Sequence, residues 1–260
     1  MAETPLDRAH ALMEATPADD APRLGFFGHL SRAELFVLLE TEAVGDTIQL
    51  RTFPLEGASY VVAFDTEERL ADFAGPLAPW AALSGRTLAP MLAAEGLGLM
   101  LNPEVAPSFM VLPPDALAWL AATLAARPGE AEARQVSVAP PAGVPEALLA
   151  ALDAGLATAT GRAREAWLVA VAYADGRAGH LLAFAGALPG AEPALAGIVG
   201  EALTFSGLSA GEIDVVFLAA SDPVMARIAK VGLRFDLPQP GPVAVPKAPG
   251  SDPDRPPRLR

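Results

Sequence analysis

The spacing of apolar and polar residues divides the chain into a run of short elements. Thr4-Pro5 has the form of an N-cap followed by proline at the first helical position, and the helix it opens puts Leu6, Ala9 and Met13 on one side. A second helix, beginning near Asp20-Ala21-Pro22, carries Leu24, Phe27 and Leu30 and is weakened by Gly25 and Gly28. The period then changes. Glu34–Glu40 (ELFVLLE) is a near-continuous apolar run between acids, as a strand buried on both faces requires. Thr47–Phe53 alternates and predicts a half-buried strand, and Pro54-Leu55-Glu56-Gly57 predicts a hairpin connection to a strand at Ser59–Phe64.

Asp65-Thr66-Glu67-Glu68 resembles a capping box and starts a helix that buries Leu70 and Phe73 and stops at Gly75-Pro76. A loop containing Trp80 leads to a helix starting at Ser84-Gly85-Arg86, with Leu88, Met91 and Leu92 on its stripe and Gly96 closing it. Gly96–Pro103 (GLGLMLNP) gives the next strand and an Asn-Pro turn. Phe109–Leu112 reads as another strand, and Pro113-Pro114-Asp115 opens a helix with Leu117, Leu120 and Leu124 aligned. At Arg127-Pro128-Gly129-Glu130 the periodicity breaks.

Beyond the break the order is strand (Gln135–Ala139), helix (Pro145–Ala157), strands Trp167–Tyr173 and His180–Ala185 around an Asp175-Gly176 turn, helix (Glu192–Phe205) and strand (Ile213–Ala219). That β-α-β-β-α-β order is the one found in ferredoxin-like units. A last helix, capped by Asp222 with Pro223 at its first position and stopped by Gly232, precedes a short LRF strand. From Pro238 onward proline, glycine and charge leave almost no large apolar residue, and the tail is expected to be disordered. The expected fold class is therefore α+β, in two units: residues 1–128 with a mixed sheet and helices, and residues 129–237 with a ferredoxin-like βαββαβ core. The tail is residues 238–260.

Composition alters this picture only in what it excludes. Hydrophobic residues make up 52% of the 260, yet every long apolar run is interrupted by charge or proline short of the ~20 residues a membrane helix needs. The first residues interleave acids with no apolar stretch of a secretory signal, and cysteine is absent. The expectation is a cytoplasmic chain without disulfides, thiolate nucleophiles or iron–sulfur ligation. The formal charge is −13. It is unevenly spread: residues 1–127 hold 17 acids and 7 bases (−10), residues 128–236 hold 12 and 7 (−5), and the tail is +2. Nucleic acid and anionic lipid both want clustered lysine and arginine, and neither is an expected partner. The acids serve solubility first.

Candidate chemistry is sparse. A hydrolase triad would need one of His10, His29 or His180 beside a positioned hydroxyl, and none follows a nucleophile-elbow motif. Asp65, Glu67 and Glu68 form an acidic group that helix capping explains without a metal. No catalytic residue, metal or cofactor is expected. Three residues keep functional interest. Arg86 either clamps a ligand carboxylate or pairs with one of the chain's acids. Asn102 either meets a ligand or closes its own turn. Trp80 either lines a pocket or covers the sheet. Were the three to converge, they would share a pocket mouth at the strand ends.

The ordered set ELFVLLE, YVVAFDTEERL, WAALSGRTLAPML, GLGLMLNPE and LPPDALAWL resembles the N-terminal domain of the SseB (enhanced serine sensitivity) family over roughly Leu24–Leu124. The second half, with its proline-rich entry at Ala139–Pro145 and LRFD near the end, is similar to the family's C-terminal domain. The resemblance implies an architecture and supplies no reaction, ligand or catalytic residue. Two readings remain open: a non-enzymatic interaction or regulatory module with a protein partner, or a sensor of a small metabolite such as an amino acid. A hydrolase-type enzyme is the residual alternative.

Overall fold

The computed structural model describes residues 2–45, 47–125, 135–173, 176, 178–207 and 213–239. In chain order the elements are α1 (Pro5–Ala15), α2 (Asp20–Arg32), β1 (Glu34–Leu38), β2 (Thr52–Leu55), β3 (Ala58–Phe64), α3 (Glu67–Ala74), β4 (Trp80–Ser84), α4 (Gly85–Ala94), β5 (Gly98–Leu101), β6 (Met110–Leu112) and α5 (Pro114–Ala125). The second half adds β7 (Gln135–Ala139), α6 (Glu146–Leu156), β8 (Glu165–Tyr173), β9 (Ala178–Ala185), α7 (Glu192–Phe205), β10 (Ile213–Leu218), α8 (Pro223–Val231) and β11 (Leu233–Asp236). The protein is an α+β fold with two mixed sheets.

The first sheet runs β4-β1-β3-β5-β6, with β2 alongside the start of β3. Only β3 and β5 pair in parallel, and their crossover carries α3, β4 and α4. One face buries Leu35, Val37, Val61, Ala63, Leu99 and Leu101 beneath α1, α2, α4 and α5. The other face, with Val62, Phe64, Phe36 and Phe53, is covered chiefly by the eight-residue α3 through Leu70 and Phe73.

The glycine-rich run that ends α4 and opens β5 works by backbone geometry. Gly96 sits at φ +62°, its N–H donates to the carbonyl of Ala93, and the N–H of Leu97 donates to that of Leu92. These are the two bonds of a Schellman close, which needs a left-handed residue at that position. Gly98 then lies opposite Tyr60, and a Cβ there would stand 2.3 Å from the tyrosine ring.

Three expectations for the first half change. Trp80 is the first residue of β4, not a loop residue, because the strand pairs antiparallel along the whole of β1. Thr47–Phe53 contributes single bridges at Thr47 and Leu50, and the regular strand begins only at Thr52. It continues through Pro54 and Leu55, so the hairpin turn narrows to Glu56-Gly57, both at positive φ. Two consecutive left-handed residues give the primed turn that matches strand twist. Pro54 is tolerated because β2 is a short strand at the margin of the sheet.

The second sheet runs β10-β9-β8-β11, and β7 also pairs with β8. The β-α-β-β-α-β order is present, but the strands are not interleaved as in a ferredoxin-like unit. β7, β8 and β9 are successive antiparallel neighbours, and the parallel pair is β9–β10. Length explains it: β8 spans nine residues, enough for β7 to pair near its end (Ala170–Tyr173) and β11 near its start (Glu165–Leu168). α6 and α7 cover one face of this sheet and α8 the other. Pro238 and Gln239, expected in the tail, are anchored: Gly161 N–H donates to the Pro238 carbonyl, and the Gln239 amide donates to the carbonyls of Ala163 and Leu237. The rest of the expected tail, the Arg127–Glu130 break and Asp175 lie outside the described residues.

The helical layers of the two halves pack on each other, α7 against α2 and α5. Phe205, the last residue of α7, is buried within the first sheet's core. Gly28 of α2 makes room for it, since a Cβ there would lie 3.0 Å from the Phe205 Cβ.

Candidate functional site

The charged centre of the molecule lies where α1 meets the C-terminal ends of β3 and β5. α1 begins with a capping box: Asp7 N–H donates to Thr4 Oγ1, and Thr4 N–H donates to Asp7 Oδ2. Asp7 is therefore held with its carboxylate turned toward the sheet, and Arg69 of α3 clamps it with both terminal nitrogens, at 3.1 Å (Nη1–Oδ1) and 2.5 Å (Nη2–Oδ2). The same Nη1 donates to Asp65 at 2.7 Å. Thr4 Oγ1 donates to the second oxygen of Asp65, and Ser108 Oγ donates to Asp7. The Asp7, Asp65 and Arg69 side chains are only 3–4% exposed.

Asn102 completes the cluster. It is fully buried at φ +50°, a left-handed conformation that asparagine tolerates better than most residues. Its Oδ1 accepts from Asp65 N–H and its Nδ2 donates to Ser108 Oγ. The turn after β5 is therefore tied to the end of β3 through a side chain. This is neither of the two roles weighed from the sequence, because both partners lie outside the turn's own backbone.

Burial alone would raise the Asp7 pKa. The hydrogen bonds from Arg69, Ser108 and Thr4 outweigh it and hold the carboxyl at about 2. Two carboxylates against one guanidinium leave the cluster one charge negative. One donor, Arg69 Nε, is buried and has no partner among the described residues.

Two clefts open beside the cluster. The first, about 540 Å³, lies between the start of α1, the end of α2, β1 and the start of α3. Its floor is Pro5, Leu6, Ala33 and Phe36, and its rim carries Glu3, Glu34 and Glu68, all exposed. His29 and Arg32 stand on one wall. Partial desolvation beside the neighbouring helices, with Arg32 and Arg8 nearby, pushes the His29 pKa below its ordinary value although the side chain remains exposed. The second cleft, about 610 Å³, is bounded by α1 and the β5–β6 loop and reaches Asp7 and Arg69.

Arg86, Asn102 and Trp80 do not meet in any of these clefts. Arg86 forks onto Glu201 of α7, 115 residues away, through both terminal nitrogens. Trp80 is 37% exposed and packs edge-on against Phe36, ring centroids 5.1 Å apart. Asn102 belongs to the buried cluster. The histidines are apart as well: His10 meets Phe26 edge-on, and His180 Nε2 bonds the Ala142 carbonyl. Among the described residues no group of three or more histidines and acids could hold a metal.

The sequence presents Asp65 as a helix cap and gives Asp7 and Arg69 no distinguishing motif. The true N-cap is Thr66, which accepts from Arg69 N–H, and this frees Asp65 to face Arg69 one turn on. The i,i+4 spacing of Asp65 and Arg69 was a usable signal; the 62-residue reach to Asp7 was not.

Fold and cluster together define a mixed α/β protein whose N-terminal helix is locked to its first sheet by buried charge. Residues 8–119 match the family model described as SseB protein N-terminal domain, so this part of the chain is an SseB N-terminal domain. The second half lies outside the matched region. No curated protein and no solved structure matches the chain. Among the described residues no helix is long and apolar enough to cross a membrane.

Proposed function

We propose that this chain is a non-enzymatic, cytoplasmic interaction module that recognises a partner segment carrying basic residues around an apolar anchor. The observation that carries this reading is the acid-rimmed apolar cleft at the start of α1 and α3. Four carboxylates line it (Glu3, Glu34, Asp65 and Glu68) against the one arginine, Arg32. Glu34 and Glu68 are exposed and have no ion-pair partner among the described residues. The apolar floor continues from Phe36 to the half-exposed Trp80 on the edge strand β4, on a sheet face that α3 covers only in part. Complementary charge steers encounter, and a central apolar anchor supplies the affinity. The cytoplasmic assignment leans on the absence of cysteine.

Fluorescence anisotropy with labelled peptides that share one apolar anchor and differ in lysine or glutamate flanks tests the reading on the full chain. The lysine-flanked peptide should bind, more weakly as salt rises. The double variant Glu34→Lys/Glu68→Lys should lose at least tenfold in affinity while keeping its Tm. Equal binding of the glutamate-flanked peptide, or unchanged binding by the double variant, overturns it. The cleft's size also suits a small metabolite. A Tm rise with a free amino acid, together with no peptide binding, would favour that second occupant.

A further inference from the structure

The helical layers of the two halves enclose a third, smaller cleft of about 220 Å³, bounded by Arg32 at the end of α2, Ser84 and Arg86 at the start of α4, Thr158 after α6, and Ile198 and Glu201 of α7. Its charges do not cancel. Glu201, with a side chain 12% exposed, has both oxygens taken by the Arg86 fork. Arg32 is left over: it is partly buried and makes no hydrogen bond or ion pair with any described residue. Burial pushes its pKa down, Glu201 pulls it up and Arg86 pushes it down again, as expected for a cation held near a pair that is already satisfied. Its nitrogens are not among the fully buried unpartnered donors, so the guanidinium still meets water, and in a chain of formal charge −13 no described acid has closed on it. The positive end of α4, whose first turn contains Arg86, adds to the same local field.

We infer that this interface cleft is a binding site for a small oxyanion, a carboxylate or a phosphate, held by the free fork of Arg32 beside the Arg86–Glu201 pair. Two guanidiniums and one carboxylate leave one positive charge, which a singly charged anion neutralises. Guanidinium donors match both oxyanions in a bidentate geometry. Because the cleft is walled by α2 and α4 from one half and α6 and α7 from the other, an occupant bridges the halves and strengthens their contact. The site shares Arg32 with the proposed peptide cleft and otherwise has a lining of its own.

The test is thermal denaturation and titration calorimetry of the full chain with sodium phosphate, acetate and chloride at constant ionic strength. Phosphate or acetate, or both, should raise Tm by several degrees at saturation, and chloride should not; which one acts decides between the two sources. Arg32→Gln should weaken that binding at least tenfold, with Arg32→Lys intermediate and the exposed Arg8→Gln unchanged. Without anion, Arg32→Gln should be at least as stable as the native chain, because it removes a charge that no described residue pairs directly. The Glu34→Lys/Glu68→Lys variant should bind anion normally, which separates this outcome from failure of the peptide reading. A Tm rise equal for chloride, no rise at all, an undiminished rise in Arg32→Gln, or clear destabilisation of anion-free Arg32→Gln would each overturn the assignment.

Discussion

The two sheets solve the same packing problem with different chemistry. Beneath the second, the described core is almost wholly apolar, with Leu152, Leu168, Leu182, Phe184, Leu195 and Val199 on one face and Val169, Leu181, Met225 and Ile228 on the other. It buries no ion pair, its polar atoms being the Tyr173 hydroxyl, which donates to Asp214, and Trp167 Nε1. The first sheet has an apolar core of similar make-up, but at the end of β3 and β5 it also buries Asp7, Arg69, Asn102 and Ser108. Apolar packing is tolerant of small slips in position, whereas a bidentate arginine accepts one geometry. The difference teaches what each half has to fix. α6 and α7 need only cover their sheet, while α1 is positioned residue by residue, and the walls of the two clefts beside the charged cluster both depend on where it sits.

The contrast can be broken most forcefully at Arg69. Arg69→Met should cost about 3–5 kcal/mol in urea denaturation, because it leaves Asp7 and Asp65 buried without a counter-charge. Adding Asp7→Leu and Asp65→Leu to that variant should recover much of the loss. A loss under 1 kcal/mol for the single variant would show that the cluster does not define the first half.

Acid gives the next largest effect. The folded Asp7 carboxyl titrates at about 2, against an ordinary 3.8, so the unfolded chain binds more protons between those values. The stability this provides is complete above pH 4 and is lost as pH falls through 2, about 2 kcal/mol in all. Chemical denaturation of native and Asp7→Asn chains across pH 2–5 checks it: the native curve should bend over that range, and the variant's curve should be flatter by that amount.

The smallest effect sharpens the contact between the halves. Arg86 is 46% exposed on its side chain, so Arg86→Ala should change stability by less than about 1 kcal/mol despite its fork onto Glu201. Hydrogen exchange should show the loss confined to α2, α4 and α7. A larger cost would mean that the ion pair, rather than Phe205 in the first core, holds the halves together.

Periodicity exposed the helices and most strands because both signals are local. The stripe of Leu117, Leu120 and Leu124 and the apolar run of Glu34–Glu40 depend on residues within a few positions of each other. Where the reading missed, the deciding partner was distant. Trp80 looked like loop because β4 is defined by its pairing with β1. The strand order of the second sheet follows from how many neighbours a nine-residue β8 can accept. Arg86 was legible as a residue that would find an acid, but Glu201 was not legible as that acid.

Sequence alone determined the α+β class, the helix stop at Gly96, the N-cap at Thr4 and, through its ordered motifs, the SseB resemblance. Each of these rests on contacts within one turn or one strand, where covalent geometry limits the choices. Only the tertiary structure decided that the capping aspartate of α1 would face Arg69, that Asn102 would join β3 to β5, and that Arg32 would stand at the meeting of the halves with no ion-pair partner among the described residues. Charge and hydrogen bonding are legible as capacities in a sequence. Which group answers which is settled by the packed chain, because burial removes the water that would otherwise satisfy them all.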